Sequence, residues 1–497
     1  MKDANEKIGK SAIIIFLGTV FGSGLNYLTR ILIGQFYGPS DYGLISMGIA
    51  ALSAAVTISL LGLRQGIARW MSYFSESERK MKGVMSSALK VGVPASLFVS
   101  FILFILAERI STFLGEPSLV PIIKIFCLAV PFYAILDIFV AGIRGLQNSR
   151  YKVYSYDIAW PGLRVILVTI AVVFGLSLEK VAGFHVVALG ASALLSFFIF
   201  RKLFPFEKIK KSPFGLKRLL EFSWPLILTG ILFMLTQWTD VFMIGYFKSS
   251  TEVGIYNTAL PTASLLIFVL FSFNYMFMPK TSELFSEDQK EKIRSSYKSV
   301  VRWIFLITLP VFTFVVLFSA EILGALFGEV YTAGALSLLI LAVGYFYASF
   351  VGPTGEILIS KGKPKLLLLV FLVITTIDIS MNFFLIPVWG ITGAAVALTT
   401  SFLLGWSLSV LLVKKELGVH PFDSKLLKPL LLILVISLPL VVAKFLLEIE
   451  IFHLAALGIL LLILYLLGLL KLGVLEEREI ELLKVLKENL VSFFESK

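Results

Sequence analysis

Fourteen apolar runs, each longer than 20 residues and bounded by turn or charge clusters, dictate what this chain can become. They fall near 11–35, 42–68, 84–107, 121–143, 155–176, 181–203, 219–246, 253–278, 298–320, 334–358, 365–387, 391–413, 426–447 and 452–472. The hydrocarbon core of a bilayer is about 30 Å thick, and a helix needs about 20 apolar residues to cross it. Open sheet edges cannot be satisfied in lipid, and the runs lack the alternating ten-residue segments of a barrel, so the spans are helical. With 58% hydrophobic and 15% charged residues over 497 positions, the composition lies far from that of a soluble chain. The sequence predicts an all-α polytopic membrane protein of about 14 transmembrane helices.

Lys and Arg are retained in cytoplasmic loops, which gives the runs a direction. With the N-terminus inside, 35 of the 44 Lys and Arg residues fall in cytoplasmic segments, five outside and four within the runs. Both termini are therefore expected in the cytoplasm of a multi-pass cell-membrane protein. The net charge of +12 is assigned to loops that meet anionic lipid head groups, and no nucleic acid is needed to explain it. The start, MKDANEKIGK, leads into an apolar run with no small-x-small cleavage site and reads as a retained first helix.

Several chemistries drop out. Cys127 is the single cysteine, and His185, His420 and His453 are too scattered for a metal centre. There is no GxxxxGK[ST] loop, and the external loops leave no room for a catalytic domain, so neither a cofactor nor enzymatic activity is expected.

An internal repeat organises the chain. A shift of 211 residues lays IGQFYGPSDYGLIS (33–46) on IGYFKSSTEVGIYN (244–257), matching Gly34 to Gly245 and Gly43 to Gly254. Shifts of 213 and 210 lay GIRGLQNSRYK (142–152) on GEILISKGKPK (355–365), and VAGFHVVA (181–188) on ITGAAVAL (391–398). The expected plan is a six-helix lobe at 1–203, a basic cytoplasmic linker at 204–218 and a second six-helix lobe at 219–420. Helices 13 and 14 follow at 421–473, then a tail at 474–497. An even number of helices per half makes the two repeats parallel, forming two lobes about a central cavity. The tail carries Leu475, Leu482, Leu486, Leu490 and Phe493 on one face, which suits an interfacial amphipathic helix or one packed on cytoplasmic loops.

Charges inside the runs point to function, because each costs roughly 2.5 to 3.5 kcal/mol at the bilayer centre unless it faces a cavity or a partner. Ser23, Asn26 and Arg30 form a polar stripe on the first helix. At the repeat-related place, Thr229, Thr236, Gln237 and Asp240 form another, with Asn26 aligned on Gln237 and Asp240 beside the Arg30 position. Arg64 and Gln65 are expected on helix 2, Asp137 on helix 4, Asp157 and Arg164 on helix 5, Glu356 on helix 10, and Asp378 with Asn382 on helix 11. Gly18 and Gly22 form a GxxxG pair suited to close helix packing.

The segments RILIGQFYGPSDYGLIS and DVFMIGYFKSSTEVGIYN, the GLQNSRYK and ISKGKPK turns and the 6+6+2 layout together resemble a known family. It is the polysaccharide and oligosaccharide (O-antigen type) flippases of the multidrug/oligosaccharidyl-lipid/polysaccharide exporter (MOP) superfamily. The resemblance implies alternating-access translocation of a polyprenyl-diphosphate-linked oligosaccharide, its lipid tail staying in the membrane. It implies substrate contacts from Arg30, Arg64, Asn26, Gln237 and Arg164, with the guanidiniums of Arg30 and Arg64 gripping the diphosphate. Asp240, Glu356, Asp378 and Asp137 would gate the cavity or hold a coupling ion, sodium or proton. Expected partners are the lipid-linked substrate, membrane lipids and polysaccharide polymerases or glycosyltransferases, with the chain itself a monomer. The alternative is a cation-coupled multidrug exporter of the same superfamily; a membrane glycosyltransferase is a more distant rival.

Overall fold

The computed structural model describes residues 2–60, 62–204, 216–422, 424–446 and 450–473. Most of the basic linker and the whole C-terminal tail of the sequence reading therefore lie outside the described residues. Among those described, the regular elements are helices throughout.

Among the described residues, twelve helices are long and apolar enough to cross a membrane. Two of them are long elements, Lys2–Leu60 and Pro364–Leu417, and each is two helices joined at a glycine with non-helical dihedrals. Gly38 takes φ 79° and Gly390 φ 55°, both in the region where a Cβ is strained, so glycine is what lets the chain reverse there. Gly38 is the glycine of the GPSDYG segment, and Pro39 after it opens the next helix with a preset φ.

The sequence reading carries helix 2 through to residue 68, and the structure corrects it. The helix stops at Leu60, Gly62 turns the backbone at φ 70°, and a separate helix Leu63–Tyr73 carries Arg64 and Gln65. A Cβ on Gly62 would lie 2.4 Å from the Ser223 carbonyl oxygen, so the turn is also a point of backbone contact. A similar break corrects helix 10. Ala335–Phe350 ends before Gly352, at φ 72°, and Glu356 sits on the separate helix Thr354–Ser360. Apolar periodicity continues through both breaks, which is why the sequence reads each as one helix.

The chain forms two compact units. The first holds the described residues up to Thr262 with Leu326–Ser337 and Leu368–Ser401; the second holds Ala263–Ala325, Leu338–Leu367 and the described residues from Phe402 onward. In the second unit, Tyr297 is fully buried and donates to the Val351 carbonyl at 2.9 Å. Lys361 and Lys363 both reach Glu416 at 2.8 Å, and Lys444 bonds Glu321 at 2.9 Å.

Within the first unit, two helix starts cross backbone to backbone. A Cβ on Gly43 would lie 1.8 Å from the Ser250 carbonyl oxygen, and one on Gly254 would lie 1.9 Å from the Pro39 carbonyl oxygen. These are the positions that the 211-residue offset pairs, Gly43 with Gly254 and Pro39 with Ser250, so each segment makes the other's contact in return. The hydroxyls of Ser40 and Ser250 meet at 3.2 Å, and Tyr42 donates to the Asn257 carbonyl at 2.9 Å.

Candidate functional site

Two adjoining chambers lie within the first unit. The smaller encloses about 200 Å³ and is lined in part by Asn26, Arg30, Tyr42, Trp160, Arg164 and His185. The larger encloses about 560 Å³ and is lined in part by Arg64, Gln65, Asp137, Tyr156, Gln237 and Phe233. Ser53, Tyr133 and Trp238 line both.

Local helix geometry builds the small chamber. Asn26, Thr29, Arg30 and Ile33 recur at spacings of three and four and so share a face, which all four present to the cavity. One and two turns earlier the same stripe carries Gly22 and Gly18, whose missing Cβ atoms would collide with the Asp157 carbonyl oxygen and with Val153, each at 2.0 Å. Only glycine allows this approach. It holds the helix against Val153–Ala159, a π-helical stretch whose Asp157 is paired with the preceding Lys152 at 2.6 Å. π-helical turns that interrupt regular helices are frequent at functional sites. The helix Trp160–Val173 continues from it, with Trp160 and Arg164 one turn apart and the guanidinium carbon 5.7 Å from the indole ring.

Arg164 is buried and donates to Asn26 Oδ1, while Asn26 Nδ2 donates back to the Gly22 carbonyl at 3.0 Å. Two buried donors, Arg164 Nε and Trp160 Nε1, have no partner. Arg30 enters the same chamber and is close enough to Arg164 for their charges to repel. No Asp or Glu is among the described residues that line it. The chamber thus gathers two guanidiniums and two unanswered N–H groups with no counter-ion of its own. Buried donors without partners are costly, and an anion with several acceptor oxygens would satisfy them.

The large chamber differs in charge. Arg64 forms an ion pair with Asp137, and the arginine side chain is 41% exposed against 2% for the aspartate. The guanidinium therefore faces the cavity with its charge already answered from behind. Gln65 and Gln237 are exposed in the same chamber, and the hydroxyls of Tyr133 and Tyr156 meet at 3.3 Å.

A third group of polar residues is sealed in the first unit. Asp240 accepts from the Tyr256 hydroxyl at 2.5 Å and from Asn382 Nδ2 at 2.7 Å, and Asn382 Nδ2 also approaches Asp378 Oδ1 at 3.2 Å. Asp378 and Asn382 are fully buried, and Asp378 Oδ2 and Asn382 Oδ1 have no partner. Among the described residues no three His, Cys, Asp or Glu side chains are grouped as a metal site would need.

The structure thus brings Asn26, Arg30 and Arg164 together in one chamber, Arg64, Asp137 and Gln237 in the other, and Asp240 with Asp378 in the buried cluster. Asp240 is not among the described residues that line either chamber. Glu356 belongs to the second unit. Trp160, Trp238, Tyr42 and Tyr133 were missed by sequence reasoning. Only the four-residue spacing of Trp160 from Arg164 and the adjacency of Trp238 to Gln237 could have signalled the two tryptophans.

The fold is that of a MOP-superfamily membrane transporter. A solved structure of the lipid II flippase MurJ in an inward closed conformation superposes with a TM-score of 0.70 at 15% identity, covering 92% of this chain and 98% of that one. The family model described as polysaccharide biosynthesis protein matches residues 8–285, and the chain belongs to that family. A second family model, MatE, matches residues 225–384. Among curated relatives, a probable low-salt glycan biosynthesis flippase of Haloferax volcanii is 24% identical over 80% of this chain and 81% of its own length. A putative O-antigen transporter of Shigella flexneri is 23% identical over 78% of this chain and 90% of its own.

Proposed function

We propose that this chain is a flippase that carries a polyprenyl-diphosphate-linked oligosaccharide across the cell membrane by alternating access, as a transporter and not an enzyme. The observation that carries the reading is the small chamber, where Arg30 and Arg164 converge with no carboxylate among the described lining residues. A guanidinium keeps its charge at any working pH and meets phosphate oxygens through two parallel N–H bonds. The diphosphate is placed there, with Asn26 orienting Arg164, and the glycan extends into the large chamber beside Arg64 and Gln237. The names of the relatives in Haloferax volcanii and Shigella flexneri support this cargo class.

Asp240 and Asp378 are assigned the coupling step. The unpartnered Asp378 Oδ2, with Asn382 Oδ1, suits a proton or a sodium ion taken from the gradient, which would supply the charge that two buried carboxylates otherwise lack. Asp137, by contrast, is spent on Arg64, and Glu356 is left as a gating residue of the second unit. Counting the arms on either side of Gly38 and Gly390 separately favours the fourteen-helix plan. The reciprocal Gly43 and Gly254 contacts favour two parallel six-helix repeats, and the Lys and Arg content of the loops favours both termini in the cytoplasm. The protein would work as a monomer that receives its cargo from glycosyltransferases.

The MatE match over residues 225–384, the region that holds the acidic cluster, supports one second reading, a cation-coupled multidrug exporter. Proteoliposomes loaded with a labelled polyprenyl-diphosphate oligosaccharide separate the two. The flippase reading expects translocation by the wild type and its loss in Arg30→Ala. Efflux of an organic cation that survives Arg30→Ala and disappears in Asp240→Asn would establish the exporter instead.

A further inference from the structure

The two chambers differ in a way that bears on which glycan is carried, and the inference rests on the flippase reading above. We infer that the large chamber is a subsite for an uncharged sugar, the one next to the diphosphate, and that Asp137 makes it so. Its volume of about 560 Å³ lies within the roughly 300–1,000 Å³ of ordinary ligand pockets, whereas the small chamber at about 200 Å³ has room only for a head group. The order along the cargo follows from size and charge together. The anion occupies the enclosed guanidinium chamber, and the first sugar lies past Trp238, which lines both.

What the large chamber offers is the chemistry of a neutral polyol. A hexose presents hydroxyls that both donate and accept, around a face of C–H groups. Gln65 and Gln237 supply amides that can do both, and the exposed edge of Arg64 supplies N–H donors. Trp238 and Phe233 supply apolar rings against which a C–H face can lie. The deciding residue is Asp137. It is 2% exposed and paired with Arg64, so the only described guanidinium lining this chamber is neutralised before any ligand arrives. A uronic acid or other carboxylated sugar would have to be desolvated beside an arginine whose charge is already taken, with a buried aspartate behind it. That cost sets it at a disadvantage against a neutral sugar of the same shape. Asp137 is thus a positioning residue that acts through Arg64.

The test uses the full-length protein in nanodiscs and three probes: polyprenyl diphosphate alone, the same lipid bearing N-acetylglucosamine, and the same lipid bearing glucuronate. The neutral sugar is expected to tighten binding about tenfold over the bare lipid and the glucuronate to add nothing. Gln237→Ala should reduce affinity for the neutral-sugar lipid about tenfold more than for the bare lipid. Asp137→Asn keeps the shape and frees the Arg64 charge, so it should raise glucuronate-lipid affinity about tenfold relative to the neutral one, a reversal that mere loss of packing would not produce. Equal or tighter binding of glucuronate by the wild type would overturn the inference, as would an Asp137→Asn variant whose preference is unmoved. If the bare lipid binds but the sugars make no difference, this inference fails and the flippase reading stands. If none of the three binds, both fail.

Discussion

The helix that opens the chain and its repeat-related counterpart carry opposite charges one position apart in the repeat register, and they use them in opposite ways. Arg30 is turned into an enclosed chamber where described carboxylates are absent, whereas Asp240 is 3% exposed and fully engaged by Tyr256 and Asn382. The offset that aligns Gly43 with Gly254 sets Asp240 on Thr29, which lines the small chamber beside Arg30 yet is 2% exposed, its hydroxyl bonded to the Leu25 carbonyl. Arg30 aligns instead with Val241, which is fully buried. The two halves thus put their charges one residue apart in register, about 100° of helix, and surround them with different neighbours. A charge that meets solvent or cargo can bind it; a charge sealed with unpartnered oxygens around it can only respond to something small enough to enter.

The largest expected effect breaks the binding side of this comparison. Removing both Arg30 and Arg164 as alanines should cut affinity for polyprenyl diphosphate by at least about a hundredfold, since each charge-assisted contact contributes roughly 1.5 to 3 kcal/mol. Isothermal titration with the bare lipid reads this directly. Next, Asp240→Asn should lower gradient-driven translocation about tenfold while cargo affinity changes by less than about threefold, because the mutation strikes the responding cluster and leaves the chamber intact. Counterflow with and without an imposed sodium or proton gradient distinguishes the two quantities.

A smaller effect sharpens the point about geometry. Arg30→Lys keeps the charge but loses the two-pronged donor set, so affinity should fall about tenfold and translocation should persist at a reduced rate. Equal activity of Lys and Arg would mean that charge alone is read. The smallest change tests the repeat itself. Gly43→Ala and Gly254→Ala each place a methyl against a carbonyl oxygen, at 1.8 and 1.9 Å before relaxation, and should lower the melting temperature by similar amounts. A large inequality between them would show that the crossing is not shared evenly by the two segments.

Much of this was legible in the sequence, for identifiable reasons. The helical character followed from run length, and the Gly18 and Gly22 contact followed from spacing on one helix. Asp378 and Asn382 could be placed together because four residues are one turn. The contact of Asn382 with Asp240, 142 positions apart, carries no local signal. The break at Gly62 was hidden because a single glycine within an apolar run is compatible with a continuing helix, and so Arg64 was placed on the wrong element. Trp160 and Trp238 carry no sequence signal of their own, since a tryptophan's role as chamber wall depends on which way the helix faces, and helices apolar nearly all round do not show it.

The central claim is that the Arg30 and Arg164 chamber holds the diphosphate while the Asp240 cluster does not touch the cargo. Binding of radiolabelled polyprenyl diphosphate to purified wild type, Arg30→Ala, Arg164→Ala and Asp240→Asn proteins tests it most directly. The account predicts losses of tenfold or more in both arginine variants and near-wild-type binding in Asp240→Asn. Unchanged binding in the arginine variants, with loss in Asp240→Asn, would contradict it.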